Sequence, residues 1–125
     1  MTVTADYLAW ALEQLAVAGQ VTSRRMFGGV GLYLDGLFFA LIDDDTLYFK
    51  TDDSNRCRYE QAGSRPFRPF PDNPDHVMAY WQVPADVLED PDLLREWARE
   101  ALAVALAART RTSKRRRSAR RSPGS

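Results

Sequence analysis

The 125-residue chain predicts an α+β fold for residues 1–108, followed by a basic segment. Three observations carry that prediction. Apolar residues recur with helical period at both ends of the span, and apolar runs broken by glycine and aspartate fill its middle. The chain also lacks an internal repeat and any regular alternation of strand and helix, which argues against a doubly wound parallel sheet. The length fits one domain.

The first element reads as a helix. Thr4 is placed to cap it, Leu8, Leu12 and Leu15 share a face with Ala11 beside them, and Gly19 is a plausible stop. A strand through Arg24–Phe27 leads into the glycine run Gly28-Gly29-Val30-Gly31, and Leu32–Leu34 continue the second arm. Asp35-Gly36 between apolar runs is a hairpin signal, because both central positions of such a turn need positive φ. Leu37–Ile42 are too continuously apolar for a half-exposed strand, Asp43–Asp45 make the next turn, and Thr46–Lys50 form another strand. The result is an antiparallel meander. Asp52–Gly63 read as a short helix, capped by Asp53 or Ser54 and ended by Gly63. Pro66, Pro69, Pro71 and Pro74 break up a loop that contains Phe67 and Phe70, and a strand over Val77–Val83 ends at Pro84. The last helix is the clearest, with Asp90 as cap, Pro91 at its first position and Asp92 near the positive end of the dipole. Leu94, Trp97, Ala98, Ala101, Leu102 and Ala105 form its apolar stripe. The expected core includes Leu12, Leu15, Tyr33, Phe39, Leu41, Tyr48, Trp97 and Leu102.

Composition narrows the classes of function. A hydrophobic share of 45% supports a real core, and no stretch approaches the roughly 18 apolar residues of a membrane span. The N-terminus lacks a basic region followed by an apolar one, so no secretory signal is expected. A lone Cys57 cannot close an internal disulfide, which agrees with a reducing cytoplasm. With His76 as the single histidine, a zinc site would need carboxylates or a second chain. The zero net charge hides a dipolar chain. Eight of the 17 basic residues lie from Arg109 onward and none of the 17 acidic ones does, so residues 1–108 carry 9 basic against 17 acidic groups, net −8. Residues 109–125 are Arg, Lys, Ser, Thr, Ala, Pro and Gly and are expected to be disordered.

From about Tyr7 to Ala108 the sequence resembles the TfoX N-terminal domain family, whose longer members (TfoX/Sxy) regulate natural competence. The resemblance rests on Arg25-Met26-Phe27-Gly28-Gly29-Val30-Gly31-Leu32-Tyr33, on Asp35-Gly36 with Phe39-Ala40-Leu41, and on Leu47–Asp52. It continues through Ala62-Gly63-Ser64 with Pro66-Phe67, Tyr80-Trp81 with Val83-Pro84, and Leu94–Trp97 with Ala98 and Ala101. It implies a fold like that of secretion chaperones, α-β(3)-α-β(2)-α, with helices packed on one side of a single antiparallel sheet. It implies no catalytic residues. The longer members carry a second, helical C-terminal domain, where this chain has its basic segment.

Each residue pattern that suggests chemistry has a plainer reading beside it. Gly28–Gly31 could cradle a phosphate, but no Lys-Ser/Thr follows and the run enters a strand, so a bulge or close backbone approach is expected. Arg24 and Arg25 could bind an anion, and a surface ion pair is the plainer account. Asp43–Asp45 with Asp52 and Asp53 could hold a hard cation, yet the spacing is that of turns and caps. Cys57 lies between Arg56 and Arg58, whose charges could make its thiol reactive, and a small core or boundary residue is the plainer role. The aromatic residues could stack on bases, but a −8 body repels phosphate, so core or a protein interface is expected.

The function these features predict is a non-catalytic regulatory or protein-binding domain without metal or cofactor. Its partners are an unidentified protein, a second copy of the chain, and nucleic acid held weakly and without sequence preference by Arg109, Arg111, Lys114, Arg115, Arg116, Arg117, Arg120 and Arg121. The alternative is a small enzyme or ligand-binding protein that uses Arg25, Gly28–Gly31 or Cys57.

Overall fold

The computed structural model describes residues 3–26, 28–67 and 79–121, the last eleven for their backbone alone. The N-terminal helix α1 (Ala5–Leu15) starts where Thr4 Oγ1 accepts the Tyr7 N–H, as the sequence predicts. Four antiparallel strands follow: β1 (Thr22–Met26), β2 (Gly29–Leu34), β3 (Leu37–Asp43) and β4 (Thr46–Lys50). After α2 (Arg56–Gln61), β5 (Tyr80–Gln82) pairs with β4 and completes a single sheet of order β1-β2-β3-β4-β5. The one-turn α3 (Ala85–Leu88) and the long α4 (Pro91–Arg121) close the fold. This is the α+β class expected. Four strands precede α2 and one follows it among the described residues, where the resemblance implied three and two.

Both tight hairpins follow from their aspartates. Asp35 (φ 54°) and Gly36 (φ 75°) join β2 to β3, and Asp44 and Asp45 (both φ 51°) join β3 to β4. Asp tolerates the left-handed region better than most side chains. Asp45 then accepts from Thr4 N at 2.8 Å and Thr4 Oγ1 at 3.0 Å, which ties the head of α1 to the hairpin.

Register decides which face of the sheet meets the helices. Leu32 pairs with Ala40 but Tyr33 pairs with Phe38, so Phe39 is the extra residue of a bulge in β3. Val30, Leu32, Leu34, Leu37, Ala40 and Ile42 therefore face the core, joined by Phe39, Leu47 and Phe49. Opposite them pack Ala11 and Leu15 of α1, Tyr59 of α2, Val87 of α3, and Leu94, Trp97, Ala98, Ala101 and Ala105 of α4. Leu12 and Leu102 pack against this core half-buried. Tyr33 and Tyr48 do not join it. The pairings Tyr33–Phe38 and Tyr48–Leu41 place these four residues on the other face of the sheet.

Three boundaries differ from the sequence reading. α2 begins at Arg56 rather than after Asp53 or Ser54. Asp52 Oδ1 takes the Ser54 N–H in a local turn, and Asn55 turns its side chain to Asp52 N and Lys50 O. Its end is as expected: Gly63 (φ 74°) lets Ser64 N–H reach Tyr59 O and Gly63 N–H reach Glu60 O. Pro84 is not only the end of a strand but the start of α3, where Val87 and Leu88 N–H bond Pro84 O. Finally, α4 does not stop at Ala108. Its backbone stays helical to Arg121, a stretch of Arg, Lys, Ala, Ser and Thr that carries no Pro or Gly to break it.

Candidate functional site

The glycine run is absorbed into the sheet. Gly28 turns the chain at φ 80° and Gly29 already belongs to β2, so no helix N-terminus stands behind the run to receive a phosphate. The glycines serve close approach. A Cβ on Gly29 would lie 2.7 Å from the Ile42 carbonyl oxygen, and one on Gly31 would lie 2.7 Å from Met26 Cε. Phe27 falls outside the described residues.

That packing leaves a recess of about 170 Å³ on the sheet face turned away from the helices, lined by Met26, Gly29, Phe38, Leu41, Asp43 and Phe67 among others. Aromatic rings flank it. Phe38 stacks on Tyr33 with centroids 5.2 Å apart and meets Tyr80 at 5.6 Å, while Phe67 meets Tyr48 at 4.9 Å. Lys50 Nζ lies 5.1 Å from the Tyr80 ring, whose hydroxyl is pushed up to about 12 by burial, with Tyr33 adding to the shift. The recess is smaller than the roughly 300 Å³ at which small-molecule sites begin. It suits a single large side chain.

The acidic residues have structural employment. Asp44 and Asp45 form a turn, Asp45 holds Thr4, Asp52 holds Ser54, and Asp53 pairs with Arg56. Among the described residues no group of three or more His, Cys, Asp or Glu side chains could hold a metal ion. Cys57 is exposed rather than in the core or at its boundary. α2 turns Tyr59 inward, and Cys57, two residues earlier, falls on the outer side, where its sulfur receives Gln61 Nε2 at 3.5 Å. His76 and Phe70 lie outside the described residues.

Arg24 and Arg25 occupy the middle of β1 with both side chains exposed. Neither makes the ion pair that the plainer reading expected, among the described residues. The positions across the ladder are Gly31 and Val30, which offer no carboxylate. The guanidinium that links two elements is Arg58. It lies 3.0 Å from Glu100 and 3.5 Å from Glu96, and its Cζ sits 5.4 Å from the Trp97 ring centroid. Sequence spacing gave no sign of this contact between α2 and α4.

At the far end of α4, Arg109 and Thr110 are exposed, and Thr110 Oγ1 bonds the Leu106 carbonyl at 3.0 Å. Residues 109–121 continue the helix by about 20 Å at 1.5 Å per residue. They carry the eight basic residues from Arg109 to Arg121. No helix among the described residues is long and apolar enough to cross a membrane.

The geometry defines a small α+β domain whose chemically suggestive residues are dispersed over a sheet edge, two turns and an exposed helix face. The family follows directly from the sequence match. Residues 13–105 match the TfoX N-terminal domain model, and the chain belongs to that family. It is 29% identical over 84 residues to the DNA transformation protein TfoX1 of Aliivibrio fischeri (strain ATCC 700601 / ES114). The match covers 67% of this chain and 40% of that protein, so the chain spans less than half the length of its curated relative.

Proposed function

We propose that this protein is a non-catalytic regulatory domain of the TfoX type, acting by binding, and that its basic helical extension contacts nucleic acid. The observation that carries the proposal is the family membership over residues 13–105, together with the name of the relative, a DNA transformation protein. By likeness to it, the process regulated is DNA transformation. Dispersal of the candidate side chains supports the absence of chemistry: exposed Cys57 has Gln61 as its neighbour, and Arg25 stands on a sheet edge. We place the end of the packed domain near Ala108; Ala105 is the last buried residue of α4 among those whose side chains are described. Beyond it the chain offers eight cations to phosphate, without aromatic residues to read bases. A cytoplasmic location and pairing with a second copy belong to the same reading. Exposed Trp10, Val17, Leu93 and Leu106 are the apolar surface available for pairing, and light scattering across a concentration series tests it.

The test of the whole is purification of the tagged chain from its own cells, with and without nuclease. Nucleic acid in the untreated sample, a protein companion that survives nuclease, and no small molecule are expected. A stoichiometric metabolite lost on Cys57→Ser or Arg25→Ala would establish the enzyme or ligand-binding alternative instead.

A further inference from the structure

The two edges of the sheet are treated differently. At β5 the edge is closed: Gln82 N–H bonds Arg65 O at 2.9 Å, Phe67 N–H bonds Tyr80 O at 2.7 Å, and Pro66 bridges Trp81. At the other edge, β1 pairs with β2 and with no other described segment, and four of its five residues are exposed. Open edges recruit other strands, and proteins guard them with charge. Here the guards are Arg24 and Arg25, neither of which is paired with an acid among the described residues.

That choice of guard selects the visitor. Antiparallel pairing of β1 with a second β1 about its middle sets Arg24 against Arg24 or against Arg25, and like charges directly opposite are unfavourable. A strand bearing carboxylates at the same positions gains where a second copy loses. The face matters too. Arg24 and Met26 share the side of the sheet that holds the recess, and Met26 lines it with Phe38, Leu41 and Phe67. A visiting strand with an acid opposite Arg24 therefore places its residue two positions along beside Met26 and the recess, which suits one large apolar side chain.

We infer that β1 is a docking edge for an extended acidic segment of another protein, added to the sheet as a sixth strand. The inference rests on reading the domain as a binding module and gives that module a surface separate from the basic helix.

The experiment uses the full isotope-labelled chain at low salt. The probes are a short synthetic peptide with leucine directly before two adjacent glutamates, so that antiparallel pairing sets the leucine opposite Met26 and the glutamates opposite Arg25 and Arg24, and a twin with lysines for the glutamates. The acidic peptide is expected to protect the amides of Thr22–Met26 from hydrogen exchange and to bind about tenfold more tightly than its twin, as two ion pairs would give. Arg24→Gln with Arg25→Gln should abolish that preference, and Arg24→Glu with Arg25→Glu should reverse it. Equal binding of the two peptides, an acidic peptide seated on the helix beyond Ala108 alone, or β1 already protected by a second copy overturns the inference. None of those results alters the affinity of the basic helix for nucleic acid, which is measured separately.

Discussion

Gly29 and Gly31 stand two residues apart on one strand, yet they differ in what an added methyl would meet. At Gly29 it meets the Ile42 carbonyl, fixed in the β2–β3 ladder, whereas at Gly31 it meets the flexible end of Met26. Gly29→Ala should therefore cost about 1–3 kcal/mol in urea unfolding and Gly31→Ala under about 1 kcal/mol, and equal losses would contradict this account. Tyr59 gives the opposite case. It is fully buried, edge-on to Trp97 at 4.7 Å, and its hydroxyl has no hydrogen-bond partner among the described residues. Burial holds that hydroxyl well above its ordinary pKa, with Glu100 adding to the shift. Tyr59→Phe keeps the ring and deletes the orphan, so stability should hold or rise by up to about 2 kcal/mol, while a comparable loss would reveal a partner. Turn residues such as Asp35-Gly36 and the cap Asp90, which accepts from Asp92 and Leu93 N–H, were legible because their chemistry is local. The faces of Tyr33 and Tyr48 were not, because they depend on ladder pairing and on a bulge at Phe39 that no local pattern announces.

At the level of elements, α2 is held to α4 by Arg58, Tyr59, Trp97 and Glu100. Burial raises the Glu100 carboxyl, Arg58 opposes that shift, and Glu96 reinforces it. A folded value above the unfolded one means that the unfolded chain ionises first as pH rises. Glu100 then disfavours folding progressively through the carboxylate range, and the penalty is complete above the folded value. Glu100→Gln should consequently be neutral or stabilising by less than about 1 kcal/mol at pH 7, with the difference gone well below the ordinary carboxylate pKa of about 4.3. A clear loss at pH 7 would mean that the pair with Arg58 dominates. The long elements were readable from apolar period and caps. α3, a single turn, is too short to have a period, and the continuation of α4 past Ala108 reflects helix-permissive residues where low apolar content had suggested none.

On the scale of the molecule, charge is sorted along α4. The Thr4–Asp45 contact and the bond from Val83 N–H to Leu47 O bring the head of α1, the β3–β4 turn and the entry to α3 to one end of the sheet. That end holds Asp43, Asp44 and Asp45 of the turn, with Asp6 in the first turn of α1 and Asp86 in the first turn of α3. About 29 Å of helix separates Asp90, the cap of α4, from Arg109. Along the sequence of α4 the acids therefore stand at its start and the eight basic residues in its last 13 positions. The dipolar sequence made the separation of charge legible, but its direction in space depends on the path of α4 across the sheet. The central claim is that this extension, and not the packed domain, meets nucleic acid. It is tested by fluorescence anisotropy on one labelled DNA duplex, with the full chain and with the chain ended at Ala108, each at low and at physiological salt. The full chain should bind at low salt and lose affinity with a log–log slope of up to about −0.9 for each phosphate neutralised, while the shortened chain should not bind. If the shortened chain binds as tightly as the full one at the same salt, the claim is wrong.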